Sequence, residues 1–151
     1  MPLKALLGGL LLLLASAVGL VGCGSPSGRA FDGRYETLAV AEAPPGLKVA
    51  AENLKAAPGL YVFREGGETY LLLTVGRQTR AGLDLRVLSV QKAAPKDQEV
   101  RILAVLSTGK GEDPYPAVLL KLKAGKDVQF RGRVTLGEEI VEYRGLPQNQ
   151  Q

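Results

Sequence analysis

Short runs in which apolar and polar residues alternate recur along this chain, and turn-forming residues separate them. Val100 and Ile102, for example, lie at one parity, while Glu99 and Arg101 lie at the other. A period of two is typical of a β-strand with one buried face. The spacing of strands and turns predicts a mainly β domain, folded as a small antiparallel sandwich or barrel. The predicted strands cover residues 35–41, 60–63, 69–75, 83–90, 100–106, 115–122 and 128–136.

One segment has a different period and predicts a single short helix. Pro44-Pro45 opens this segment and Pro58-Gly59 closes it, which is the expected punctuation of a helix. Between them, apolar residues recur at helical spacing, at Leu47, Ala50, Ala51 and Leu54. The next two predicted strands flank Glu65-Gly66-Gly67-Glu68, a tight-turn sequence that indicates a β-hairpin.

The N-terminal apolar segment ends at the only cysteine of the chain. Lys4 precedes an apolar stretch from Ala5 to Leu14, and small residues then lead to Gly22. This layout is typical of a secretory signal. An uncleaved transmembrane helix is the alternative, because the stretch is nearly long enough to cross a bilayer.

The four residues Leu20-Val21-Gly22-Cys23 resemble the lipobox of bacterial lipoproteins. In proteins with that motif, the cysteine receives a diacylglycerol and the chain is cleaved just before it. The resemblance implies that Cys23 is the acylated first residue of a mature protein, anchored in the cell envelope and facing out of the cytoplasm. Other roles suit Cys23 less well, because one thiol forms no internal disulfide and the chain has no histidine to pair with it.

These features predict the organisation of the whole chain. The length remaining after the signal is enough for one domain and too short for two. We therefore predict a lipoprotein signal peptide at residues 1–22, an acylated flexible tether at 23–30, one β-rich domain at 31–146 and a polar tail at 147–151.

The residue types needed for catalysis are scarce. Without histidine, the chain lacks the commonest general base and the commonest metal ligand. Neither Ser89 nor Ser107 lies on a nucleophile elbow, and Lys92 forms no recognised dyad with Ser89. We therefore predict a protein that is not an enzyme and has no cofactor and no metal. The remaining acidic candidates match no metal-binding or catalytic motif: Asp84, Glu99, Glu112, Asp113, Glu138 and Glu139.

The charge of the chain is modestly positive. The formal net charge is +4, with acidic and basic residues interleaved and few aromatic residues for base stacking. This pattern argues against a nucleic-acid partner. Contact with acidic lipid headgroups beneath the tether fits the charge better.

A polar loop after the predicted hairpin is the best candidate for recognition, because binding residues are often found on loops of a rigid scaffold. It links two apolar strands with glycines and arginines. A second candidate is the loop from Gly109 to Pro116, with Asp113 and Tyr115 as its binding residues. The predicted partner-binding residues of the first loop are Gly76, Arg77, Gln78, Thr79, Arg80 and Gly82.

The residues around these loops resemble the protease-complex subunit PrcB family in order and spacing, over about residues 59–134. The matching parts are Tyr70 to Gly76, the loop to Gly82, the strand to Val90 and the later Asp113-Pro114-Tyr115-Pro116-Ala117-Val118. The resemblance implies an envelope lipoprotein that binds and stabilises a protease or another exported protein.

The loop itself departs from the family pattern of proline, threonine, two glycines and tyrosine. Residues 79–83 stand in that place, and only Gly82 keeps its position. A contact made here would be cationic, where the family's is small and aromatic. The loop also resembles, more faintly, the loops of small immunoglobulin-like cysteine-protease inhibitors. The alternatives are therefore a protease inhibitor with an exposed recognition loop, and a structural envelope lipoprotein with no specific ligand.

Overall fold

A computed structural model of the protein describes residues 31–93 and 98–148. The predicted signal peptide, the tether with Cys23, and residues 149–151 of the predicted tail lie outside the described residues. Among the residues that are described, no helix is long and apolar enough to cross a membrane.

The described chain consists of eight strands, one α-helix and one short 3-10 turn at Val40–Glu42. All seven predicted strands and the predicted helix are present, with boundaries shifted by a few residues. The elements are β1 (Tyr35–Leu38), α1 (Pro45–Leu54), β2 (Gly59–Glu65), β3 (Glu68–Thr74), β4 (Leu83–Lys92), β5 (Glu99–Thr108), β6 (Ala117–Leu122), β7 (Gln129–Leu136) and β8 (Glu139–Pro147).

The strands form one nearly closed sheet with a barrel-like shape, in the order β1-β6-β3-β2-β8-β7-β5-β4. The prediction of a mainly β domain with one short helix is thus confirmed, with the barrel as its form. The sheet is mixed, because β2 pairs with β8 in parallel and β5 pairs with β7 in parallel. The other five pairings are antiparallel. The hairpin of β2 and β3 is present as predicted, with Glu65 paired to Glu68.

The strand β8 was not among the predicted strands. Its side chains are exposed or half-buried along its whole length, so no apolar face marks it in the sequence. Pairing with β7 and β2 holds it in the sheet. This strand joins the two parts of the barrel wall.

The interior of the barrel is filled by one cluster of apolar side chains. The core begins at Phe31, which is 1% exposed, and includes residues from β2 to β7. Phe130 belongs to this cluster. Completely buried members include Leu60, Leu71, Leu73, Ile102, Leu120 and Val134.

A second cluster lies on the outside of the wall, beneath α1. Leu47 and Ala51 of the helix pack against outward-facing residues of β2, β3 and β6. The helix therefore covers the outer face of this part of the wall. The strand residues beneath it are Tyr61, Phe63, Tyr70, Leu72 and Leu119.

Successive strands run in opposite directions along the chain, so every connection between described strands lies at one of the two ends of the barrel. Odd-numbered strands begin, and even-numbered strands end, at the end where Phe31 enters the fold; we call it the basal end. The described chain also finishes there, at Gln148. At the opposite end, the loop end, lie the connections 39–58, 75–82, 109–116 and 137–138.

Candidate functional site

The two loops singled out in the sequence meet at the loop end of the barrel. The backbone N–H of Gln78 donates a hydrogen bond of 2.8 Å to the carbonyl of Pro114. At the base of the loops, the N–H of Gly109 donates to the carbonyl of Gly82, also at 2.8 Å. These two bonds hold residues 76–82 and 109–116 together as one surface, which we call the paired-loop surface.

Within the first loop, exposed and structural residues are interspersed. Arg77, Thr79 and Arg80 are exposed. Gln78 is half-buried, and its side-chain amide donates to the carbonyl of Val75 at 3.2 Å. The predicted binding residues therefore divide into three exposed side chains and a supporting framework.

Gly76 belongs to that framework. Its φ of 73° lies in the left-handed region, which favours glycine. A Cβ at this position would stand 2.8 Å from Cγ of Pro58, closer than van der Waals contact allows. Gly76 thus lets the first loop leave β3 directly against the chain that precedes β2.

In the second loop, Asp113 ties the loop to the end of α1. One carboxylate oxygen accepts a hydrogen bond from Nζ of Lys55 at 2.9 Å, and the other accepts from the backbone N–H of Tyr115, also at 2.9 Å. Lys55 also pairs with Glu52 at 2.7 Å, and its Nζ lies 6.0 Å from the centre of the Tyr115 ring. That last separation is at the outer range of a cation–π contact.

This small network shifts the pKa of both charged partners of the central pair. The hydrogen bond to Glu52, followed by the one to Asp113, raises the pKa of Lys55 above its ordinary value. Burial acts to raise the pKa of Asp113, but the hydrogen bonds from Lys55 and Tyr115 outweigh it, so the pKa is lowered. Both groups are therefore charged at neutral pH.

Asp84 organises the second loop from the neighbouring strand. Its carboxylate accepts a hydrogen bond from the backbone N–H of Lys110 at 3.1 Å. A Cβ added at Gly109 or at Gly111 would collide with the same carboxylate. Because Gly109 and Gly111 lack a Cβ, the backbone before and after Lys110 can lie close to the carboxylate of Asp84. The sequence analysis matched Asp84 to no motif and did not find this role.

Lys55 and Glu52 were also missed, because nothing in the sequence connects the end of a helix with a loop some sixty positions later. The spacing of glycines around Lys110 was the only sequence signal for the Asp84 contact. A small cavity of about 250 Å³ marks where these elements converge, lined by Lys55, Asp84, Asp113 and Tyr115 among others.

The paired-loop surface presents exposed charged side chains that suit the binding of a partner. This surface carries three basic and two acidic residues, and the four connections at the loop end together carry five of each, so the charge here is mixed. Arg77 and Arg80 supply exposed guanidinium groups, which are common at protein interfaces. Among the described residues, no group of three or more Asp, Glu, His or Cys side chains is arranged to hold a metal ion.

Comparison of the chain with models of protein families, with curated proteins and with solved structures gives no match.

Proposed function

We propose that the protein is a lipid-anchored lipoprotein of the bacterial cell envelope that acts as a non-catalytic accessory module. It binds a protein partner, such as an exported protease, through the paired-loop surface. The observation that carries this proposal is the joining of the two candidate loops at the end of the barrel opposite Phe31. A tether ahead of Phe31 would leave that surface pointing away from the membrane.

The lipid anchor is tested by intact mass. We expect the full chain, expressed in a bacterial host, to yield a species that starts at Cys23 and carries an acyl mass. The Cys23→Ala variant should lack that mass and move from the detergent phase to the aqueous phase in a partition assay. An unmodified chain that retains residues 1–22 would contradict the lipid anchor and support a transmembrane helix.

Partner binding is tested by recovery of proteins from solubilised membranes. We expect the wild-type chain to recover a stoichiometric partner that the Arg77→Ala plus Arg80→Ala variant recovers at least about tenfold less well, because truncated interface hot spots cost about 2 kcal/mol or more. Lys48→Ala plus Arg86→Ala is the matched control, since it removes two exposed basic residues outside both loops.

The same experiment separates the alternatives. A recovered protease that is active supports an accessory role, and one that is inactive until released supports a protease inhibitor. Equal recovery of every partner by the wild type and the loop variant would show that Arg77 and Arg80 do not take part in partner binding. Recovery of no stoichiometric partner would leave a structural lipoprotein without a specific ligand.

A further inference from the structure

The basal end carries an open cleft at the place where β8 crosses from one neighbouring strand to the other. Residues 139–144 of β8 pair with β7, whereas residues 145–147 pair with β2. Beyond Arg144, the start of β7 therefore lacks a β8 partner, and β2 and β7 separate. The cleft between them has a volume of about 780 Å³.

The lining of this cleft is basic. Four cations line it, Arg64, Lys126, Arg131 and Arg144, against the single carboxylate of Asp127. Within residues 31–93 and 98–148, Arg131 is the only one of the four that has an ion pair, at 3.5 Å from Glu99. The described connections of the basal end carry three basic and two acidic residues, so the positive excess is concentrated in the cleft.

The guanidinium of Arg64 is fixed in place, and no carboxylate of residues 31–93 and 98–148 forms an ion pair with it. It donates to the carbonyls of Ala124 and Gly125 at 3.0 Å and to the hydroxyl of Thr69 at 3.1 Å. Burial lowers the pKa of Arg64, and Asp127 acts against that effect. Arginine nevertheless stays charged in proteins. Arg64 therefore contributes a positive charge that its direct contacts do not neutralise.

A row of arginines extends this basic region across the outer face. Arg101, Arg131 and Arg144 are directly opposite one another on β5, β7 and β8. All three are exposed. Like charges directly opposite on neighbouring strands destabilise a sheet. Glu99 is shared between Arg101 and Arg131, so it offsets this repulsion only in part. The arrangement favours an external anion.

We propose that the basal end docks on the anionic phospholipid headgroups of the membrane to which the N-terminal segment leads. Residues 1–30 precede Phe31 at this same end, so an anchor placed ahead of it brings the basic cleft to the bilayer. Basic residues near an anionic leaflet each contribute favourably to membrane binding. Docking would hold the paired-loop surface away from the bilayer. The inference rests on the membrane anchorage proposed above.

Lysine footprinting of the full chain in vesicles tests this docking. Exposed Lys126 lies at the basal end, and exposed Lys110 lies at the loop end. We expect acetylation of Lys126 to slow several-fold in vesicles that contain phosphatidylglycerol, relative to phosphatidylcholine alone, and to recover at high salt. Lys110 should react equally in both. Equal rates for Lys126 in the two vesicles would overturn the proposal.

Two variants show which charges matter. Arg131→Gln plus Arg144→Gln should lower the ratio of docked to undocked protein about thirtyfold, the effect of two basic residues at an anionic surface. Lys48→Gln plus Arg86→Gln removes the same charge from exposed positions outside the cleft and should keep the protection. Equal protection in both variants would contradict a role for the cleft.

Two further measurements distinguish lipid docking from a small-anion site and from the lipid anchor itself. Protection of Lys126 by inorganic phosphate alone, in phosphatidylcholine vesicles, would overturn lipid docking in favour of a small-anion site. The intact mass of each sample reports the anchor independently. An acylated chain in which Lys126 is not protected would contradict docking and support the lipid anchor. A chain that keeps residues 1–22 but in which Lys126 is protected would support docking and contradict the lipid anchor.

Discussion

The two halves of the barrel wall differ in what covers their outer faces. On β1, β6, β3 and β2, the helix α1 lies over outward-facing aromatic and aliphatic side chains, such as Tyr70 and Leu72. On β8, β7, β5 and β4, the outward-facing residues include Arg101, Arg131 and Leu103, and no helix of the described chain covers them. One half of the wall is thus covered by a helix on its outer face, and the outer face of the other half is exposed to solvent.

This difference is already visible in the sequence as a difference in patterning. The stretches Gly59–Phe63 and Thr69–Val75 are buried without interruption, because both faces of β2 and β3 meet apolar neighbours. In β7, buried and exposed residues alternate, because only the inner face is covered. Strands buried on both faces give continuous apolar runs, and strands with one solvated face give alternation.

The largest effect that would test this contrast is the loss of a core side chain beneath the helix. Leu72 is completely buried between β3 and α1. We expect Leu72→Ala to lower the free energy of unfolding by about 2–5 kcal/mol, because the substitution removes apolar contacts and leaves a cavity. Urea unfolding, followed by circular dichroism, measures this change.

Leu103→Ala is the matched control on the open half. Leu103 also faces outward, from β5, but it is 39% exposed. We expect the change in unfolding free energy to stay within about 0.5 kcal/mol, as for most surface substitutions. A cost for Leu103→Ala equal to that for Leu72→Ala would show that the open half is covered in solution, and the contrast between the halves would then fail.

The fold was predictable where one local pattern dominated. The helix was marked by Pro44-Pro45 and by its apolar spacing, and the hairpin was marked by its two glycines. The parallel pairings of β2 with β8 and of β5 with β7 were not predictable, because they join strands that are distant in the chain. β8 was missed for the related reason that pairing, and not burial, holds it in place.

The candidate site shows the same division. The sequence indicated both loops from their glycines, arginines and polar residues. It could not indicate that Gln78 meets Pro114, or that Lys55 reaches Asp113, since these contacts depend on the closure of the barrel. The arginine row of β5, β7 and β8 was equally hidden, because its members become neighbours only through strand register.

A smaller effect on stability is expected from the loss of one ion pair on each half of the wall, and it tests the same contrast between the halves. Asp113→Asn removes the charge that Lys55 meets, while an amide oxygen can still accept the hydrogen bond from Tyr115. We expect a loss of about 0.2–1 kcal/mol at neutral pH, the range of exposed ion pairs. Glu142→Gln breaks the pair with Arg133 on the open half and should cost less, because both partners are more than half exposed.

The difference in stability between wild type and Asp113→Asn should depend on pH, and the pKa shifts of Asp113 and Lys55 give the direction of that dependence. Because the pKa of Asp113 is lowered in the folded state, the stability from its charge is present above the ordinary value of 3.8 and is lost as pH falls through the folded value. The pKa of Lys55 is raised, so its contribution persists at least up to the ordinary value of 10.5 and is lost at higher pH. Urea midpoints of wild type and variant should therefore differ at neutral pH and converge in acid below that carboxyl range. A difference that stays constant into acid would show that the charge of Asp113 does not cause the loss of stability, and it would contradict a stabilising ion pair with Lys55.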